Sequence, residues 1–153
     1  MLLRIITLMA FVAVQISAVD STYFAVDANT VALWRFNEGE GDTAHDISGN
    51  NNHGKLVNGP TWCEGRFGHG IQLDGIDDYI EIAHNSSQSG MSQLSIEAHV
   101  YITDTPSQTG TIIDKHGSGS YEDDCYTLEI ENTNKAFGLI ADGTSSGNIK
   151  ITS

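Results

Sequence analysis

The octapeptide LSIEAHVY at residues 94–101 alternates apolar and polar side chains over its whole length. Successive side chains of a strand point to opposite faces. One face would then carry Leu94, Ile96, Ala98 and Val100, and the other Ser95, Glu97, His99 and Tyr101. The apolar face is typical of a core. Glu97, His99 and Tyr101 can hydrogen-bond or stack on a ligand and are candidate ligand-binding residues; the alternative is a solvated outer face.

From residue 31 onward, the rest of the chain shows similar short β-rich runs, separated by clusters of Gly, Asn, Asp and Ser. No segment there has a sustained helical period. The predicted strands are Ala32–Phe36, Gly54–Val57, Ile71–Leu73, Tyr79–Ile82, Leu94–Ile102, Thr111–Lys115, Tyr126–Glu131, Ala136–Ala141 and Asn148–Thr152. Their number and spacing predict an all-β fold, an antiparallel β-sandwich.

The first eighteen residues have the pattern of a secretory signal peptide. Arg4 precedes an apolar run over residues 5–14, and the segment ends in small residues at Ser17 and Ala18. The alternative is an uncleaved membrane anchor, which needs about 20 apolar residues, and this run is interrupted earlier, at Gln15. We expect a signal peptide over residues 1–18, a linker over 19–30 and one β-sandwich domain over 31–153, secreted and without a membrane partner after cleavage.

The chain is strongly acidic, with 7 Lys and Arg against 20 Asp and Glu and a formal net charge of −13. Loss of residues 1–18 removes Arg4 and no acid, which leaves 6 basic residues against 20 acidic ones and a net charge of −14. Binding to a phosphate backbone needs clustered Lys and Arg, so nucleic acid is excluded as a partner. The acids suit oxygen-ligated cations, or they serve only to keep an exported protein soluble.

Cys63 and Cys125 are the only cysteines. An oxidising compartment would allow them to form one disulfide, but two cysteines are not a disulfide framework. Sequence spacing alone does not place their Cα atoms within bridging distance, so the pairing stays open, as does the oligomeric state.

Three blocks of sequence resemble the laminin-G-like jelly-roll domain of the concanavalin A-like lectin and glucanase superfamily. They are ALWRFNEG at 32–39, DISGNNNHG at 46–54 and FGHGIQLDGIDDYI at 67–80. The resemblance implies a concanavalin A-like sandwich that binds sugars or proteins or serves as a spacer. Two departures are His99, where the family usually places a Trp, and the final strand, after which such a domain normally continues. We therefore expect the domain to be incomplete.

The loop over residues 46–54 is the candidate metal site. It offers a carboxylate from Asp46 and amide oxygens from Asn50 and Asn51, and calcium prefers oxygen ligands of this kind. The resemblance implies a structural calcium near this loop, with Asp46 as a ligand. The alternative is an Asx-rich turn that satisfies only its own backbone. Two other acidic clusters, Asp74 with Asp77 and Asp78, and Glu122 to Asp124, are better explained as a turn and a solvated loop.

The sequence contains only partial matches to catalytic motifs. The string GTSSG at 143–147 matches a nucleophile elbow, but it joins two predicted strands where that motif needs a helix. Glu129 and Glu131 share a strand face at a spacing that suits a retaining glycosidase, but the central Asp of the glucanase signature is missing.

The sequence therefore predicts a secreted, non-enzymatic module that binds glycan or an extracellular protein surface and holds a structural calcium ion. The alternatives are a spacer domain of a larger exported protein and a fragment of a glycoside hydrolase. Trp34 and Trp62 resemble sugar-stacking platforms, but their apolar neighbours favour a packing role.

Overall fold

A computed structural model describes residues 2–5, 25–102, 110–116, 125–130, 136–141 and 146–149, with side chains described within 25–102, 110–115 and 126–130. The strands are β1 Leu2–Ile5, β2 Thr43–Ala44, β3 Gly54–Val57, β4 Thr61–Gly65, β5 Gly68–Gln72, β6 Tyr79–Ala83, β7 Gly110–His116, β8 Cys125–Ile130, β9 Ala136–Ala141 and β10 Ser146–Ile149. A single 3₁₀ turn at Ser86–Gln88 is the helical element of these residues. The predicted all-β class is confirmed, and every strand pair is antiparallel.

Eight strands form one sheet in the order β10-β9-β8-β7-β1-β6-β3-β2, and β4 pairs with β5 in a separate hairpin. Residues directly opposite each other in an antiparallel sheet share a face. One such row runs from Ala44 through Gly54 and Ile82, and continues on the other side of β1 with Lys115 and Tyr126. All five are buried, so this face of the sheet carries the core.

The core cluster consists of Ala44, Ile80, Ile82 and Tyr126. Half-buried apolar side chains pack on it from outside the large sheet, among them Ile71 of the β4–β5 hairpin and Leu94 and Ile96. Side chains from outside the sheet therefore pack on its core-facing side, which is how an antiparallel sheet buries its apolar side.

Two predicted strands are corrected. Residues 94–102 lie in no strand, although Leu94 and Ile96 face the core as predicted; Ala98, expected beside them, is exposed. Within 32–36 the only ladder contact is an isolated bridge between Trp34 and Asp46. The backbone N–H of Leu33 donates to the side chain of Asp46 rather than to a neighbouring strand, and Phe36, with a φ of 55°, lies outside the extended conformation.

The β4–β5 hairpin was only half predicted, because TWCEG at 61–65 does not alternate in hydropathy. Its turn depends on Gly68, which has a φ of 106° and lies so close to Asn37 that an added Cβ would stand 2.5 Å from Asn37 Oδ1. Only glycine meets both conditions without strain. Asn37 Oδ1 accepts a hydrogen bond from the backbone N–H of His69 at 3.1 Å and so fixes the hairpin to residue 37.

Several predictions fall outside the described residues: most of the signal peptide, the start of the linker, Glu122 to Asp124, Glu131 and the end of the last strand. Cys63 carries a free thiol, whose pKa is raised by burial, and the side chain of Cys125 is not described. In the part of the chain that the structure describes, no helix has the length and apolar character needed to span a bilayer.

Candidate functional site

Asp46 lies in the loop over residues 46–54, with only 6% of its surface exposed. Its Oδ1 accepts hydrogen bonds from the backbone N–H groups of Leu33 and Ser48, both at 2.9 Å. Its Oδ2 accepts from the backbone N–H of Asn52 at 2.9 Å and from Ser48 Oγ at 2.8 Å. Burial raises the pKa of Asp46, but these hydrogen bonds outweigh it and hold the pKa below its ordinary value. The carboxylate is a charged hub that ties the loop to residue 33.

Asn52, only 1% exposed, extends this network to the 3₁₀ turn. Its amide nitrogen donates to the carbonyl of Val31 at 2.9 Å and to Ser87 Oγ at 3.0 Å. Its Oδ1 accepts from Gln88 Nε2 at 2.7 Å. Trp34 Nε1 donates to the backbone carbonyl of Asn52 at 2.7 Å, which supports the predicted packing role of that tryptophan. The network joins segments that lie about 35 positions apart, so the sequence alone did not reveal it.

The other two predicted metal ligands lie in the same loop but differ from each other. Asn50 Nδ2 donates to the carbonyls of Thr30 at 3.2 Å and Val31 at 3.0 Å, so this amide group anchors the loop to the preceding segment. Asn51 is exposed, with a φ of 57°, a left-handed conformation that asparagine tolerates.

The carboxylate oxygens of Asp46 are poorly suited to bind a cation. Each carboxylate oxygen has two lone pairs. Both oxygens already accept two hydrogen bonds each, so a calcium ion would have to displace at least one of them. The hydrogen-bonding pattern of Asp46 is that of an Asx-rich turn, in which the side chain accepts from backbone N–H groups. Calcium binding by Asp46, Asn50 and Asn51 stays a prediction.

Asp74, Asp77 and Asp78 form a second loop, and one carboxylate oxygen from each lies within 4.8 Å of the others. Asp74 Oδ1 accepts from the backbone N–H of Ile76 at 2.8 Å and more weakly from those of Asp77 and Asp78. Asp78 Oδ2 accepts from the backbone N–H of Asp74 at 3.1 Å. The pKa of Asp74 is lowered, chiefly by the hydrogen bond from Ile76.

Free ligand atoms remain in this loop. Asp74 Oδ2, Asp78 Oδ1 and both carboxylate oxygens of Asp77 accept no hydrogen bond from any described residue. Calcium binds oxygens at about 2.3–2.6 Å, so two ligands of one ion lie at most about 5 Å apart. One carboxylate oxygen from each of the three residues meets that condition. Elsewhere in the described ranges, no other group of three His, Cys, Asp or Glu residues brings its ligand atoms so close.

The predicted ligand-binding residues Glu97, His99 and Tyr101 are all exposed, and Tyr101 keeps 56% of its surface accessible. His99 meets the ring of Phe67 edge to face, with ring centroids 5.7 Å apart. The guanidinium of Arg66 lies over the same Phe67 ring, 5.2 Å from its centroid. The turn of the β4–β5 hairpin thus contacts residues 94–102 at His99. Sequence reasoning missed this contact, because it joins positions more than 30 residues apart.

The rival catalytic pair cannot be assembled from the described residues. Glu129 is half-buried and accepts a long hydrogen bond of 3.5 Å from Thr127 Oγ1, while Glu131 lies outside the described ranges.

Trp62, like Trp34, is fixed by a hydrogen bond from its indole N–H, since its Nε1 donates to the carbonyl of Gly41 at 2.8 Å.

Comparison with known proteins gives no match to a family model, to a curated protein or to a solved structure.

Proposed function

We propose that the chain is a secreted, non-catalytic β-sandwich module of the laminin-G-like type that binds carbohydrate through Glu97, His99 and Tyr101. The observation that supports this most is the surface of residues 94–102, whose apolar side chains other than Ala98 are half-buried while its Glu, His and Tyr side chains are exposed. Binding sites combine a rigid support with a few placed polar groups, and loops on a scaffold commonly supply them.

The chemistry of this surface suits a sugar. Tyrosine offers an apolar ring face together with a hydroxyl group, and histidine and glutamate hydrogen-bond to hydroxyls. His99 is positioned by Phe67, which Arg66 covers, so one edge of the surface is held in place before a ligand arrives. Such preorganisation reduces the entropy that binding would otherwise cost.

Binding to a glycan array should detect a glycan ligand, and Tyr101→Ala should weaken binding to the best glycan at least about tenfold, because it removes an aromatic ring that keeps 56% of its surface exposed. His99→Ala should have a similar but smaller effect. The control is His84→Ala, an exposed histidine after β6. Binding to extracellular proteins but to no glycan would contradict the carbohydrate assignment. A chain that binds neither would be a spacer.

A structural calcium ion is the second part of the proposal, and Asp74, Asp77 and Asp78 would hold it. Calcium at about ten times its Kd should stabilise the fold by about 1.4 kcal/mol, a rise in Tm of roughly 3–6 °C. Asp77→Asn should abolish most of this rise. It should hardly change Tm in chelator, because the Asp77 carboxylate accepts no hydrogen bond from the described residues.

The matched variant for the first loop is Asn51→Gly, which removes an amide oxygen without straining a left-handed residue. Melting curves in calcium and in chelator then distinguish the two loops. If Asn51→Gly removes the rise while Asp77→Asn keeps it, calcium lies in the loop over residues 46–54. If the unmodified chain shows no rise, neither loop holds calcium.

A further inference from the structure

Strand β1 is a four-residue strand inserted between two much later strands. It pairs antiparallel with β6, from Leu2 opposite Ala83 to Ile5 opposite Ile80, and antiparallel with β7 on its other side. Strands β6, β3 and β2 lie to one side of it and β7 to β10 lie to the other. Among the described strands, β1 alone joins these two parts of the sheet by backbone hydrogen bonds.

The same residues belong to the predicted signal peptide. If residues 1–18 are removed on export, a gap one strand wide is left between β6 and β7, about 9.6 Å across at 4.8 Å per strand spacing. The two parts are also held by side-chain packing, since Tyr126 of β8 belongs to the same core cluster as Ile80 and Ile82 of β6. Both rims of the gap would then present unpaired backbone groups, which readily pair with another strand.

The register of β1 with β6 and β7 defines which residue types a strand in this gap would need at each position. The position of Leu3 lies between Ile82 and Lys115. Ile82 and Lys115 are fully buried and belong to the core-facing row, and the ammonium of Lys115 lies against Ser89 Oγ and the Tyr126 ring. The position between them therefore favours an apolar residue. The position of Arg4 lies between Glu81 and Asp114, two half-buried acids on the opposite face, which favours a basic residue.

We propose that the gap between β6 and β7 is a strand-binding site for an extended peptide with an apolar-basic-apolar pattern, which Leu3, Arg4 and Ile5 occupy in the full chain. Backbone ladders on both sides provide the affinity, as in other cases of strand addition to a sheet. The two acids select the basic residue. The net charge of −14 that is left after loss of residues 1–18 attracts such a peptide at long range.

The test uses the full chain carrying Leu3→Pro, because proline removes a backbone donor and is excluded from a central strand. A labelled peptide with the sequence of residues 2–7, LLRIIT, should bind this variant and raise its Tm by about 5 °C. The control peptide, with glutamate in place of arginine, should bind at least about tenfold more weakly. Equal binding of both peptides, or no binding of either, would overturn the proposal.

A second measurement applies if the Leu3→Pro chain does not fold. In the full chain, Arg4→Glu places a third acid between Glu81 and Asp114. Amide hydrogen exchange should then become at least several-fold faster in β6 and β7, while the β4–β5 hairpin, which does not adjoin β1, keeps its protection. Unchanged exchange in β6 and β7 would show that β1 does not occupy the gap.

Discussion

Replacing Asp46 by alanine is expected to lower the free energy of unfolding by about 4 kcal/mol at pH 7, a drop in Tm of roughly 10 °C. The substitution removes an acceptor that satisfies three backbone N–H groups and one hydroxyl. Hydrogen bonds to a charged group are the strong ones, and the donors of Leu33 and Asn52 would be left inside the protein without an acceptor. Urea unfolding of the two chains measures the loss.

Two controls accompany this prediction. Asp77→Ala, in calcium-free buffer, removes an exposed carboxylate that accepts no hydrogen bond from the described residues and should change stability by no more than about 0.5 kcal/mol. Asp46→Asn keeps the shape of the side chain but turns one acceptor into a donor, so it should cost about half as much as alanine. An Asp46→Ala chain as stable as Asp77→Ala would show that the hub does not stabilise the fold.

The pH dependence provides an independent check on the same carboxylate. Because the pKa of Asp46 is lowered on folding, its charged form contributes stability above the ordinary pKa of 3.8, and this is lost as the pH falls toward the folded value. The difference between the unmodified chain and Asp46→Asn should therefore be constant at neutral pH and shrink below about pH 4. Asp74 also has a lowered pKa but titrates in both chains, so the comparison isolates Asp46.

Strands were predictable where local pattern and turn residues agree. Gly54–Val57 and Ala136–Ala141 have the predicted bounds. Residues 94–102 show the limit of this reasoning, because the exposure of most side chains alternates as predicted while the backbone forms no ladder. Alternation reports which side chains are buried. A ladder also needs a neighbouring strand in register, and no local pattern encodes that neighbour.

The position of β1 was not predictable from its sequence, because an apolar run near the N-terminus has the same composition whether it is exported as a signal or paired in a sheet. Its pairing with β7 joins positions more than 100 residues apart.

The candidate sites also differ in whether their residues are close together in the sequence. The Asp74 loop is local and was visible in the sequence, whereas the partners of Asn52 come from residues 31 and 87–88.

Replacing Gly54 by alanine is expected to destabilise the fold by about 3 kcal/mol, the second largest effect. A Cβ at this buried position in β3 would lie 2.5 Å from Ile80 Cγ2 and 3.5 Å from Ile82 Cγ1. Ile80 is only 2% exposed and β-branched, so its χ1 cannot turn the methyl group away cheaply. The control is Gly110→Ala at the start of β7, where no atom of the described residues, the chain neighbours of Gly110 aside, lies within 4 Å of an added Cβ. It should be neutral to within about 0.5 kcal/mol.

The clash can be separated from other effects of alanine by a compensating change at Ile80. Ile80→Leu conserves volume but removes the Cγ2 methyl group, and alone it should cost less than about 1.5 kcal/mol. If the loss at Gly54 comes from that methyl, the double variant should be more stable than the sum of the single effects predicts, by about 1 kcal/mol or more. Chemical denaturation of the four chains measures this coupling. Additive effects would mean that the collision with Ile80 Cγ2 is not what makes glycine necessary at this position of the core-facing row.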